Sequence, residues 1–528
     1  MMKILVSDKL ANEGLEILRA VKEFQVDLKP GMTPAELKAI IKDYDALIVR
    51  SETKVTAEIL EAADKLKVIG RAGVGLDNVD LPAATRKGVV AMNTPAGNTT
   101  STAEHTMSLI LALSRNIAQA AASMKAGKWD RSKFSGVELY GKTLGIVGLG
   151  RIGATVAGFA KAFGMKVFAF DPFLSKEVAA KMGIEIVEFE KLIKESDYIT
   201  VHIPKTAETT DIISDKEFGM MKKNVRVLNC ARGGIINEKA LIKALEEKRI
   251  AGCALDVFDV EPLPTDSPLL KFDNCIMTPH LGASTSEAQI NVAIEIAETV
   301  KNALLGHGIM NAANFPSLSG EAYKVLAPYI DLAERIGKFA GQLVNGRLNG
   351  VKITYSGVVT EYKSAPLTLS LVKGLLLPIL GETVNSINAI DVARERGIDV
   401  SEVQSNQKGE FVNLLNVEIT TDKETFTVWG TLSANQQPRI VRVNNVYVET
   451  NPNGYMLFIN NNDKPGIVGG VGTILAENNV NIASITLGRE AAGKLAISVV
   501  NVDSDVSQTV IEKIKHMPNI LFVKLIKV

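Results

Sequence analysis

Three polar residues follow short apolar runs in the middle of the chain: Arg232 in Asn229-Cys230-Ala231-Arg232-Gly233-Gly234, Glu261 in Asp256-Val257-Phe258-Asp259-Val260-Glu261-Pro262, and His280 in Thr278-Pro279-His280-Leu281-Gly282. An imidazole that titrates near neutrality suits the removal of a hydroxyl proton from a carbon that gives up hydride. A carboxylate beside it fixes the tautomer and raises the imidazole pKa, a role open to Glu261. A guanidinium holds a carboxylate through two parallel hydrogen bonds and polarises an incipient carbonyl, a role open to Arg232. Taken singly, the histidine fits a helix C-cap and the other two a surface ion pair. Three such residues at successive strand ends, beside a dinucleotide signature, point instead to interconversion of an alcohol and a ketone.

That signature runs from Lys142 to Asp171. Leu144, Ile146 and Val147 predict a buried parallel strand, and Gly148-Leu149-Gly150-Arg151-Ile152-Gly153 follows it as G-x-G-x-x-G. Gly148 permits the tight turn, Gly150 lets a pyrophosphate approach the helix N-terminus, and Gly153 lets the helix pack on the sheet. Ile152, Val156, Phe159, Ala160 and Phe163 recur at helical spacing, and a second strand, Lys166 to Phe170, ends on Asp171 where a carboxylate takes ribose hydroxyls. The bland alternative is a glycine-rich turn with Asp171 capping a helix ahead of Pro172. Asp171 repels a 2′-phosphate and Pro172-Phe173-Leu174 supplies no arginine to hold one, so the cofactor expected is NAD.

A chain of 528 residues holds three or four domains, and its 59 basic and 59 acidic residues leave no net field for nucleic acid or an anionic membrane. Cys230, Cys253 and Cys275 sit in apolar runs, too few for a disulfide framework and suited to a reducing compartment. MMKILVSDKL reads as a strand rather than a signal peptide, and no apolar run reaches the ~20 residues of a membrane span. The expectation is a soluble cytoplasmic protein without a metal.

The elements that must position these groups form an α/β chain: two doubly wound parallel-sheet lobes, then an α+β insert, then a ferredoxin-like unit. Strands at Ile4 to Val6, Ala46 to Val49 and Val68 to Ile69 alternate with helices in the first lobe, residues 1–98. Two of them run into Arg50-Ser51-Glu52-Thr53-Lys54 and Arg71-Ala72-Gly73-Val74-Gly75, and these arginines fit either a ligand site or a solvated surface. A helix from Thr99 leads to Trp129 and Arg131, where the tryptophan reads as a partner anchor or a core residue. Residues 99–283 then carry about six strands, including Tyr198 to Ile203. An amphipathic helix from Ser284 to Leu305 returns the chain to the first lobe through residue 314. Residues 315–452 show strands at Arg347 to Ser356 and Glu410 to Val448 with helices at Leu367 to Leu380 and Val384 to Arg396. Arg439 and Arg442 there read as surface charge or an anion site. Residues 453–528 follow the order β-α-β-β-α-β. The turn Asn461-Asn462-Asp463-Lys464-Pro465-Gly466 precedes a helix whose free amides could take a ligand carboxylate, with Asp463 for an amino group and Asn481 expected beside the turn.

Gly148 to Gly153, Cys230 to Gly234, Glu261 before Pro262, and Pro279 to Thr285 resemble the D-isomer-specific 2-hydroxyacid dehydrogenases. Over its whole length the chain is similar to the long branch of that family, which oxidises 3-phospho-D-glycerate to 3-phosphohydroxypyruvate with NAD at the entry to serine synthesis. The resemblance implies Arg232, Glu261 and His280 as catalytic residues. It implies cofactor contacts at Arg151, Ile152, Asp171, the Cys230 carbonyl, Asp256, His280, Leu281, Gly282 and Ala283. It also implies that Arg50, Ser51, Arg71 and Gly73 meet the substrate, while Trp129 and Arg131 lie at a dimer contact reaching the neighbouring site of a homodimer or homotetramer. Val74 stands where relatives often carry a hydroxyl. The final unit resembles an ACT domain and the insert resembles the intervening domain of the long form. In serine-regulated relatives, positions matching Asn461, Asp463 and Asn481 bind L-serine, usually where two such units pair. The competing readings are another D-2-hydroxyacid dehydrogenase, such as a glyoxylate reductase, and a non-catalytic NAD-responsive binder.

Overall fold

The computed structural model describes residues 1–318, 320–405 and 410–528, which form four sheets. The first is parallel: β1 (Met2–Val6), β2 (Phe24–Leu28), β3 (Ala46–Val49), β4 (Val68–Arg71) and β5 (Val90–Met92), in the order β2-β1-β3-β4-β5. β2 and β5 add to the three strands expected. Gln25 and Asp27 break the apolar run of β2, and β5 is only three residues long. The strand order reverses between β1 and β3, which opens a crevice at their carboxyl ends. Arg50 follows β3, and Arg71 ends the adjacent β4.

The second sheet is also parallel: β6 (Thr143–Val147), β7 (Lys166–Phe170), β8 (Glu185–Ile186), β9 (Tyr198–Val201), β10 (Arg226–Asn229), β11 (Gly252–Leu255) and β12 (Cys275–Met277). Its order, β12-β11-β10-β9-β6-β7-β8, reverses between β6 and β9. The expected six strands become seven because two-residue β8 adds an edge too short to show as an apolar run. β9 ends at Val201, so His202 lies outside it. The helix Ser286–Leu304 leaves this sheet and buries Val292, Ile296, Ala297 and Val300 against Ile4, Val6, Val68 and Met92 of the first.

The third sheet holds β13 (Leu348–Ser356), β14 (Asp399–Ser405), β15 (Leu414–Thr421), β16 (Thr425–Leu432), β17 (Pro438–Val443) and β18 (Val446–Thr450). It is antiparallel except for β14 beside β13. Two helices, Gly320–Leu343 and Ala365–Leu380, pack together with backbones nearly touching. A Cβ at Gly337 would strike the Leu371 carbonyl oxygen, and one at Gly374 the Glu334 carbonyl oxygen. The first of these helices is not among the elements anticipated from the sequence. The helix expected from Val384 begins at Ala389, because Asn385 accepts the Ile387 and Asn388 amides and holds a turn there.

The fourth sheet is antiparallel, with β19 (Tyr455–Asn462), β20 (Ile482–Arg489), β21 (Leu495–Val502) and β22 (Ile520–Lys527) in the order β20-β21-β19-β22. The helices Ile467–Glu477 and Gln508–Lys515 cover one face. Met456, Phe458, Ile497 and Val499 on the other face share a core with Phe339 of the insert. This is the expected βαββαβ arrangement. Among the described residues no helix is long and apolar enough to cross a membrane, and no group of three His, Cys, Asp or Glu residues could hold a metal ion.

Candidate active site

A cleft of about 410 Å³ lies between the first two sheets. Val74 to Asp77 line it from the first lobe, and Ile152, His202, Cys230, Arg232, Asp256, His280, Gly282 and Ala283 from the second. Its floor begins where β6 runs into Gly148, whose φ of 92° is open to glycine at little cost. The Leu149 amide donates to Asp171 Oδ2 at 2.9 Å, and the Phe173 amide to Oδ1 at 2.9 Å. These bonds fix the Asp171 carboxylate at the end of β7 with further lone pairs for ribose hydroxyls. The helix Arg151–Ala162 starts at Gly150 with no side-chain cap, and no atom lies within 4 Å of where a Cβ would stand there. Uncapped amides above open space fit a pyrophosphate, so these residues fit a dinucleotide.

Across the cleft, His280 Nδ1 lies 2.7 Å from Glu261 Oε2. The Phe258 amide donates to Glu261 Oε1 at 3.0 Å and orients the carboxylate. With Nδ1 committed to Glu261, Nε2 is the ring nitrogen left to exchange a proton. His280 is held at φ 56°, its amide donating to the Asp256 and Thr278 carbonyls at 2.9 Å each. Asp256 is 1% exposed and accepts from the Leu281 and Gly282 amides at 2.7 and 2.8 Å. Burial alone would raise its pKa. Hydrogen bonds from His105, Thr278, Leu281 and Gly282 outweigh burial and hold the carboxyl below its ordinary range.

Arg232 donates through Nε to Asp77 Oδ2 at 3.1 Å, an ion pair that spans the two lobes, and through Nη1 to the Ala231 carbonyl at 2.7 Å. Arg71 Nη1 donates to the Gly75 carbonyl, and its Nε is buried without a partner. Burial first, then the charges of Arg232 and Arg50, push the Arg71 pKa down to about 10. An anion beside Arg71 would offset the burial and the neighbouring charges that disfavour its guanidinium. The Arg50 amide and the Thr53 amide are pinned by Asp8 Oδ2, at 2.5 and 3.2 Å, which fixes the Arg50-Ser51 loop. Gly73 lies beside the Arg71 guanidinium, so a side chain there would displace it.

The remaining candidate residues have different surroundings. The Cys230 thiol is pushed up to about 12 by burial and is no nucleophile, although the residue lines the cleft. Trp129 is 79% exposed, which removes the core alternative, and with Arg131 it borders a separate depression outside the cleft. Asn461, Asp463 and Asn481 do not meet. Asp463 follows the last residue of β19, near Arg489 at the end of β20. Asn481 precedes β20, whose Ile482 pairs with Val502 and through it with Tyr455 at the start of β19. The expectation that Asn481 lies beside the turn is therefore corrected: the helix Ile467–Glu477 carries the chain back along the sheet, so the two loops lie at opposite ends. Asp463 already accepts from Arg489 Nη1 at 2.8 Å and the Gly493 amide at 3.0 Å, and Asn461 is 2% exposed, its Oδ1 accepting from Ser498.

Two histidines at or behind the cleft were not among the residues expected there. His202 lines the cleft, with Nε2 3.0 Å from Thr200 Oγ1 and Nδ1 unpartnered. It stands directly after a strand, as Arg232, Glu261 and His280 follow theirs, but a strand drawn to Ile203 hid that signal. His105 lies inside a helix and meets Asp256 and Thr278 only through the fold.

Comparison with known proteins matches residues 107–282 to the NAD-binding domain of the D-isomer specific 2-hydroxyacid dehydrogenases. Residues 325–444 match the D-3-phosphoglycerate dehydrogenase intervening domain and residues 455–517 the ACT domain. The chain is 45% identical over 527 residues to D-3-phosphoglycerate dehydrogenase of Methanocaldococcus jannaschii, covering 100% of each chain. It is 45% identical over 521 residues to that of Synechocystis sp., covering 98% of this chain and 94% of the relative. Among solved structures, D-lactate dehydrogenase of Aquifex aeolicus complexed with NAD and lactic acid superimposes with a TM-score of 0.52 at 29% identity, covering 57% of this chain and 96% of that one.

Proposed function

The chain belongs to the D-3-phosphoglycerate dehydrogenases, NAD-dependent enzymes of the D-isomer-specific 2-hydroxyacid dehydrogenase family, and from that premise we propose how its residues oxidise 3-phospho-D-glycerate to 3-phosphohydroxypyruvate, the first step toward L-serine. Bound NAD supplies the hydride acceptor. Gly148 to Gly153 and Asp171 hold the dinucleotide, with Arg151, Ile152, the Cys230 carbonyl, Asp256 and the turn from His280 to Ala283 completing its site. Arg232 binds the substrate carboxylate and polarises the oxygen that becomes the ketone. His280 Nε2 takes the hydroxyl proton, and Glu261 at 2.7 Å stabilises the imidazolium that forms. Arg50 and Arg71, with Ser51 and Gly73 in the same loops, take the phosphate, whose charge offsets the burial and the neighbouring charges that disfavour the Arg71 guanidinium. Three free thiols suit the cytoplasm as its compartment.

The observation that carries this reading is His280, paired with Glu261, on a cleft that Arg232 also lines, with the desolvated Arg71 in the facing lobe. An NADH-linked assay with 3-phosphohydroxypyruvate, glyoxylate and other 2-keto acids tests it. Preference for an unphosphorylated keto acid would sink the phosphate assignment, and no turnover with any would favour a binder. We further propose a homodimer or homotetramer in which exposed Trp129 and Arg131 meet a second copy. L-serine would act as effector between two ACT units, with Asn461 and Asp463 from one copy and Asn481 from another, since one chain holds these residues apart.

A further inference from the structure

The helix Thr99–Arg115 begins where the chain crosses from the first lobe to the second, and one face of it grips the turn that carries His280. Ser101 Oγ and Thr102 Oγ1 both donate to the Gly282 carbonyl, at 2.7 and 3.2 Å. One turn further along the same face, His105 Nε2 lies 3.2 Å from Asp256 Oδ1 and 3.1 Å from Thr278 Oγ1. Thr278 Oγ1 itself donates to Asp256 Oδ1 at 2.5 Å. Buried Asp256 thus spends one oxygen on Gly282 and the other on Leu281, Thr278 and His105.

His280 stands at φ 56°, a left-handed conformation that a residue with a Cβ keeps only when its surroundings over-determine it. Asp256 is what over-determines it here. Its carbonyl holds the His280 amide and its carboxylate holds the next two amides. A buried carboxylate stays ionised and in place only while its hydrogen bonds are complete. His105 is the one side chain in that set from outside the β11 and β12 region, and it ties the carboxylate to the interlobe helix.

We infer that His105 is a positioning residue for the reaction: through Asp256 and Thr278 it sets the turn that lands the His280 imidazole on Glu261. This rests on His280 being the base. The bland alternative is a helical side chain that only fills space, and the two make different predictions.

The test uses the full chain carrying His105→Ala and His105→Gln, with kinetics in 3-phosphoglycerate and NAD. In the alanine variant kcat falls roughly 10-fold or more, while KM for 3-phosphoglycerate stays within about twofold, as expected when a base is misplaced and substrate contacts are intact. Glutamine, with an amide donor in reach of Asp256, restores kcat to within about threefold. A folded alanine variant with wild-type kcat overturns the inference, as does a loss that glutamine fails to repair. If alanine does not fold, His105→Met, which fills the space without a donor, is read by the same criteria. His280→Ala separates the two levels: if it retains turnover the base assignment fails, whereas an inactive His280→Ala beside wild-type His105 variants defeats the positioning role alone.

Discussion

His280→Ala and Arg232→Ala should each lower turnover by about 10²–10⁴, and in Arg232→Ala NADH binding, read by fluorescence titration, should stay near native, because the role proposed for that residue is on the substrate alone. Near-native turnover in either variant removes that residue from the mechanism. His202 makes a different prediction. Burial depresses its pKa to about 4, although the residue lies on the cleft wall. A depressed pKa means that the unfolded chain binds the proton more readily, so this contribution to stability is complete above about pH 6.5 and fades as pH falls toward 4. Urea midpoints should drop between pH 7 and pH 5 by an amount equivalent to roughly 1–2 kcal/mol, and His202→Gln should flatten that slope. Equal slopes in the two proteins would refute the role. The placement of Arg232, Glu261, His280 and Asp171 after strands was legible because ligands of such sheets gather at strand carboxyl ends, a rule that needs only the position of the strand. His105 obeys no such rule. Its partners lie 151 and 173 residues away, and a histidine inside a helix carries no local mark of them.

The same contrast holds for whole elements. β6, its glycine turn, the following helix and β7 were readable because period, turn chemistry and length agree. The helix Gly320–Leu343 was not, since Pro328, Gly337 and Gly341 weigh against a helix locally. Those glycines serve tertiary contact instead: Gly337 and Gly341 face the carbonyls of Leu371 and Leu375, and Gly374 faces that of Glu334. Gly337→Ala should therefore force the two helices apart and cost about 1–3 kcal/mol, lowering the thermal midpoint of the full chain. Gly469, in the helix Ile467–Glu477, has nothing within 4 Å of a Cβ, so Gly469→Ala should leave the midpoint unchanged or raise it. Calorimetric scans of both variants check the pair, and a stable Gly337→Ala would contradict the close helix approach.

At the scale of the whole molecule, the proposed serine site, assembled from two copies, would make effector binding depend on association. Calorimetry with L-serine on the intact protein should show binding that Asn481→Ala abolishes, and absence of binding at millimolar serine would dismiss the effector. Binding without loss of activity would leave a site that regulates nothing, because a ligand shifts an equilibrium only by its preference for one state. The order of four units was legible from composition and motif, but how the fourth sheet leans on Phe339 of the insert was not, since that contact joins segments more than a hundred residues apart. The helix Ser286–Leu304 adds a constraint in time. Its Ile296 and Val300 cover Gly70 of β4, so the five strands made first lack part of their core until residue 304 has been synthesised. The seven-stranded sheet is contiguous in the chain and waits for nothing beyond β12. On the ribosome, the half of the enzyme translated second is thus the half able to fold first, and the amino-terminal strands spend that interval as an open sheet for chaperones to cover.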